Sequence, residues 1–144
     1  MTIINNFVII LDVGDKMNYT VTYLKQHQSE GINLEMDFSK EINGLPEIVK
    51  IDSCTVTGNY TFLNDSIIEF HLLAKADVTF QAADTLNLIK RTVEVLINDE
   101  VSDDSEYKIV NDKINLYELV WGWFISEVPL TVYEKEEEEN GSTI

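Results

Sequence analysis

Two histidines, one cysteine and 26 acidic residues are the side chains of this 144-residue chain with the most obvious capacity for chemistry. Cys54 stands alone, so the chain can build neither a disulfide framework nor a zinc site on paired thiolates. Neither His27 nor His71 has a neighbouring Cys or His, and no histidines recur at the i, i+4 spacing of a helical metal site. A glycine-rich phosphate loop and a nucleophile elbow are both missing. The histidines read as structural or surface residues. Cys54 falls on the apolar side of a period-two run, where a buried, inert thiol is the default. The acidic clusters could in principle hold Ca²⁺ or Mg²⁺. They lack the alternating acids and the glycine of an EF-hand loop, so solvated charge is the better reading. The expectation is a protein that is not an enzyme and uses no cofactor and no metal.

The charge is uneven. Ten basic residues against 26 acidic ones leave −16. Asp99, Glu100, Asp103, Asp104 and Glu106 form one acidic stretch; Glu134 and Glu136 to Glu139 form another around Lys135. Without those ten acids and one lysine the balance is a milder −7. Arg91 is the only arginine. Phosphate-backbone affinity comes mostly from clustered Lys and Arg, so DNA is not an expected partner and direct RNA binding is disfavoured. A basic protein is electrostatically easier. Solubility alone is the competing account of the charge. No stretch reaches the ~18 apolar residues of a membrane span. The start, MTIINNFVIILDVGDK, lacks the basic flank and small-residue cleavage site of a signal peptide. The expected location is the cytoplasm, with no membrane partner.

About one domain is expected from the length. TVTYLKQHQSEG reads as a short helix capped by Thr20 and stopped by Gly31. INLEMDFS (32–39) alternates like a half-buried strand, and KEINGLPE follows as a loop. From Val49 a long period-two run places Cys54, Val56, Gly58, Tyr60 and Phe62 on one face. LNDS (63–66) turns it back into IIEFHLLAKADVTF, and TLNLIKRTVEVLI (85–97) makes a third strand. The stretch 99–106 reads as a solvated acidic loop and YKIV (107–110) as one more short strand. The fold class is α+β. A twisted antiparallel β-meander, open or partly closed, carries a short N-terminal helix and an apolar C-terminal helix packed on it.

INLYELVWGWFISEVP closes the folded part. Asn115 and Glu118 imitate a capping box, which starts the helix at about Leu116, and Pro129 ends it. At 100° per residue, its apolar side chains sweep an arc of about 240°, about twice the stripe of an ordinary surface helix. Such a helix is buried on two sides or offers an apolar patch to something else. Trp121 and Trp123 therefore plug the core, form a homodimer seam, or contact a partner. Tyr117, Trp121, Trp123, Ile125, Tyr133 and Glu136, Glu137, Glu138 and Glu139 are the candidate partner-binding residues, with indole rings supplying contact area and the glutamates steering encounter. The tail from 134 to 144 is expected to be disordered.

The order of these features resembles the YceD family, the large ribosomal RNA subunit accumulation proteins of bacteria and plastids. MNYTVTYLKQHQSEG is similar to that family's opening helix, VTGNYTFLNDSIIEFHLLAKADVTFQAADTL to its glycine-bearing hairpin, and INLYELVWGWFISEVPLTVY to its closing helix and proline. About 120 residues are covered. Three departures stand out. Many members carry a cysteine and an arginine at the positions of Ala82 and Asp84, and another cysteine at that of Glu134. Many also have charged residues at the positions of Trp121, Gly122 and Trp123. The family register begins at Met17, so residues 1–16 are expected to be a non-native leader or an edge strand, and 17–133 the domain. The resemblance implies a bacterial factor in large-subunit ribosome biogenesis, needed for 23S rRNA to accumulate. Combined with the charge, it points to contact with a basic ribosomal protein or another assembly factor. A small-ligand-binding β module and a direct rRNA binder are the rival readings.

Overall fold

Strict alternation over fifteen residues makes Ile67–Gln81 the natural centre of a sheet, and in the computed structural model, which describes residues 17–135, it is. The elements run β1 (Asn18–Thr20), α1 (Val21–Gln26), a single 3-10 turn (Gln28–Glu30), β2 (Ile32–Met36), β3 (Ile48–Ile51), β4 (Cys54–Asn64), β5 (Ile67–Gln81), β6 (Leu88–Val101), β7 (Lys113–Asn115) and α2 (Leu116–Glu127). The fold is α+β, with an open, antiparallel five-stranded sheet and a separate β1–β7 pair. The expectation of a leader or edge strand at 1–16 lies outside the described residues, as does the expected disordered tail of 134–144 except for Glu134 and Lys135, which are placed and bonded to Asp84.

Each even residue of β5 from Ile68 to Phe80 is buried. One long edge of the strand pairs with β6, from Ile68↔Val101 to Gln81↔Leu88. The other edge takes β4 and then β3 in tandem, and β2 pairs outside β4. The period-two run from Val49 is therefore not continuous. Ile51 faces Val78 while Thr55 faces Lys75, so the chain gains one residue at Asp52–Ser53. Ile51 and Cys54, three apart, are both buried as a result, and a second register shift, between Ile48 and Lys50, leaves Val49 48% exposed. That is the signature of a β-bulge.

The other face of the sheet lies open among the described residues. Thr55, Thr57, Asn59 and Thr61 of β4, His71 and Lys75 of β5, and Lys90, Thr92, Glu94 and Leu96 of β6 are all exposed there. Phe38, Phe70, Phe80 and Phe124 fill the inner side and are fully buried. β1 and β7 set the two helix starts side by side: Val21 N–H donates to Asp112 O (2.9 Å) and Leu116 N–H to Met17 O (2.8 Å). Thr20 caps α1 by accepting from Tyr23 N–H, and Asn115 caps α2 by accepting from Glu118 N–H, both at 3.0 Å.

Several boundaries differ from expectation. α1 ends at Gln26, where His27 caps it, and only the 3-10 turn runs on to Gly31. β6 starts at Leu88 and continues through Asp99 and Glu100 to Val101, so the acidic loop begins only at Ser102. Pairing with Glu69 and Phe70 of β5 holds those two acids in the ladder despite their charge. Residues 107–110 are not a strand. Asn111 and Asp112 both have positive φ (53° and 64°), the signature of a tight two-residue hairpin turn. Only Val110 bridges back, to Lys113, and the strand itself is β7.

Gly58 sits where three backbones crowd. Its φ is 149°, and a Cβ there would run into the His71 carbonyl and Leu72 Cα of β5. Gly58→Val should cost about 2 kcal/mol or more from backbone strain, before the collision is counted. Urea unfolding of the purified variant measures it.

Candidate functional site

Capping and helix periodicity bring α2 down on the inner face of the sheet. Leu116, Leu119, Val120 and Phe124 are fully buried, and Val128 seals its end. Tyr117, Trp121, Trp123 and Ile125 are half-buried, and all four pack against that core. The wide apolar arc is thus covered from several directions. Phe38, beyond β2, lies with its ring 5.0 Å from both Tyr117 and Trp121 and 6.3 Å from Phe124. On another flank Tyr107 from the acidic loop lies over Gly122, so close that a Cβ at that position would collide with its phenol.

Polar edges of these rings find acids. The Tyr117 hydroxyl donates to Glu41 Oε2 (2.9 Å) and sits 3.2 Å from Asp37 O. Burial, then Glu41, pushes its phenol far above the usual tyrosine range. The Trp123 indole N–H donates to Asp99 Oδ2 at 3.0 Å. Asp99, read from sequence as part of a solvated acidic stretch, and Glu41, in a segment read only as loop, are thus hydrogen-bond acceptors for half-buried aromatic donors.

Tyr133 has a different setting. It is 44% exposed and belongs to a segment clasped to the β5–β6 turn. Ala83 N–H donates to Val132 O (2.8 Å). Asp84 accepts from the backbone N–H of Glu134 and of Lys135, both at 3.0 Å. Those amides hold its carboxyl below the ordinary aspartate value, Lys135 contributing most. Glu134 in turn accepts from Thr85 Oγ1 (2.6 Å) and Asn87 Nδ2 (3.0 Å). Leu86, Leu88 and Leu130, all strongly exposed, flank these atoms in the chain. Sequence reasoning did not single them out, although leucines beside a turn and after a helix-ending proline were visible. Glu136 to Glu139 lie outside the described residues.

The groups first considered for chemistry are dispersed. Burial pushes the Cys54 thiol up to about 11, which keeps it a thiol at neutral pH. His27 Nδ1 sits 2.9 Å from Tyr23 O at the end of α1. His71 lies on the open face, with Nδ1 2.7 Å from Asn98 Oδ1 and Nε2 3.0 Å from Glu69 Oε1. Among the described residues, no group of three or more His, Cys, Asp or Glu is placed to hold a metal ion, and no helix is long and apolar enough to cross a membrane. Comparison with family models, with curated proteins and with solved structures returns no match.

Two outcomes follow from this packing. Trp121→Ala should destabilise the fold by about 2 kcal/mol, less than a fully buried tryptophan costs because the ring is only half covered; chemical denaturation reads this directly. The hydrogen bonds to Asn98 and then Glu69 raise the His71 pKa. Its NMR titration midpoint should fall above the ordinary value of about 6.5. The stabilisation it contributes is complete below that value and fades as pH rises through the higher, folded midpoint.

Proposed function

We propose that the chain is a non-catalytic factor in biogenesis of the large ribosomal subunit. In this reading it supports accumulation of 23S rRNA by binding a basic ribosomal protein or another assembly factor. The observation that carries the reading is the clasp. The positions at which YceD proteins carry a cysteine, an arginine and a second cysteine are Ala82, Asp84 and Glu134 here, some fifty residues apart in sequence. Ala82 is fully buried at the base of the turn, and Asp84 accepts directly from the Glu134 amide. A register drawn from the order of segments alone thus brings its marked positions to one place, which supports kinship.

The contact surface moves with this. Tyr117, Trp121, Trp123 and Ile125 serve as half-buried support, and the partner meets the hairpin end instead: Leu86, Leu130 and Tyr133, beside the place from which the tail carrying Glu136 to Glu139 departs. Negative potential around an apolar cluster favours a positively charged partner and speeds encounter. A lone arginine and −16 remain a poor match for naked RNA. The ligand-binding reading gains no support from an inner face filled by four buried phenylalanines.

Crosslinked pull-down from the native host should enrich large-subunit components, and a Leu130→Ser/Tyr133→Ser double variant of unchanged stability should lose at least about tenfold of that enrichment, the scale of one interface hot spot. A mobility shift with naked rRNA at ~150 mM salt should show no complex. Equal recovery with both proteins would move the contact elsewhere, and no ribosomal enrichment at all would end the reading.

A further inference from the structure

Among the described residues, β6 is the longest strand with one edge that no other strand pairs. Its β5 side is fully paired, while across Leu88–Leu96 no backbone hydrogen bond from the described residues reaches the other side. A long, uncovered edge is a template for another strand. Two features single out this nine-residue stretch. Its inward residues Ile89, Arg91 and Val93 are only half-buried, whereas Val95, Ile97 and Val101 further along are buried. Its outward residues Leu88 and Leu96 are exposed at 61% and 70%, unusual for leucines on a strand.

The order of those outward residues is Leu88, Lys90, Thr92, Glu94, Leu96. Read backwards it is the same series with lysine and glutamate exchanged. Laid antiparallel against its own copy about Thr92, the strand sets each Leu88 opposite the partner's Leu96 and each Lys90 opposite the partner's Glu94. Apolar and opposite-charge pairs directly across an antiparallel ladder stabilise it. Inside, Ile89 meets the partner's Val95, and Arg91 meets the partner's Val93. The same register sets the two Arg91 side chains diagonally across the axis, a like-charge contact that subtracts from the gain. Among the described residues, Lys90 and Glu94 are held by exposed pairs, to Asp52 and Lys75 at 3.5 Å each, so re-pairing costs little.

We propose that Leu88–Leu96 is a self-complementary edge to which a second copy of this chain adds antiparallel about a two-fold axis at Thr92, joining two sheets into one. The axis is isologous, so each contact occurs twice. A ladder of this length buries less than about 1,200 Å², the size of weak or transient interfaces, and association belongs in the micromolar range.

Sedimentation of the full chain at ~150 mM salt tests this, because every charge contact is duplicated. Lys90→Glu and Glu94→Lys should each weaken dimerisation by about tenfold, and the double exchange should return it to within about threefold of the original, since both variants stand on the exposed face and the pairing is restored in mirror form. Thr92→Cys gives a positional readout. Opposite residues of a ladder have Cα atoms about 4.5–5.5 Å apart, inside the disulfide range. That variant should crosslink to itself under mild oxidation while Asn98→Cys does not, and the buried Cys54 leaves the background silent. A chain that stays monomeric to about 300 µM, far above the range expected for an interface of this size, overturns the proposal. So do single charge reversals without effect, or a double exchange that fails to rescue. Hydrogen-exchange protection of the β6 edge in a monomeric protein would overturn it too.

Discussion

A sheet with one face in water has to seal the other with whatever chain remains, and here that constraint governs almost everything. β5 commits seven consecutive inward positions to the interior. Among the described residues, α1, six residues long, α2 and the irregular segments around them cover those positions. Because α1 is short, most of the burden falls on α2. Its arc of apolar side chains is wide because it must meet the sheet, the Phe38 segment and the loop carrying Tyr107 at once. An ordinary amphipathic stripe would leave two of those three neighbours facing polar atoms.

The same constraint explains why acids and aromatics lie together. No polar or charged residue is counted among the buried ones in the described core. Rings large enough to close its margin carry donors of their own, and an unpartnered buried donor is costly. Glu41 takes the Tyr117 hydroxyl, Asp99 takes the Trp123 N–H, and the Leu24 carbonyl takes the Tyr60 hydroxyl at 2.5 Å. Carboxylates are strong acceptors that keep their remaining lone pairs in water, so they suit the rim of such a layer. Part of the net charge is therefore structural, and only the remainder is free to act at a distance.

Local signals were legible in sequence where one principle ruled alone. The caps Thr20 and Asn115, the turn at 63–66 and the proline beyond α2 all appear where residue type places them, whereas α1 already ends at Gln26 and Gly31 stops only the 3-10 turn that follows it. Errors arose where tertiary pairing overrode composition. Asp99 and Glu100 look like loop, yet a partner strand extends far enough to include them. The extra residue at Asp52–Ser53 carries no mark in the alternating pattern, because the residues on both sides keep their own alternation. YKIV has strand-forming residues but is followed by two positive-φ positions that turn the chain at once. The candidate site shows the same division. That α2 is broadly apolar could be read from spacing; that its tryptophans are half covered, and that Asp84 reaches Glu134, depends on contacts between segments far apart in the chain.

The clasp also settles how the molecule would bear a load. Asp84, Thr85 and Asn87 grip the chain at Glu134 and Lys135, beyond the end of α2. A pull on the C-terminal end is therefore delivered first to the tip of the β5–β6 hairpin, whose fourteen matched residues form the most extensive ladder in the molecule. A processive unfoldase gripping that end would have to break those few bonds at the turn before α2 felt any tension, and peeling of the helix would come second.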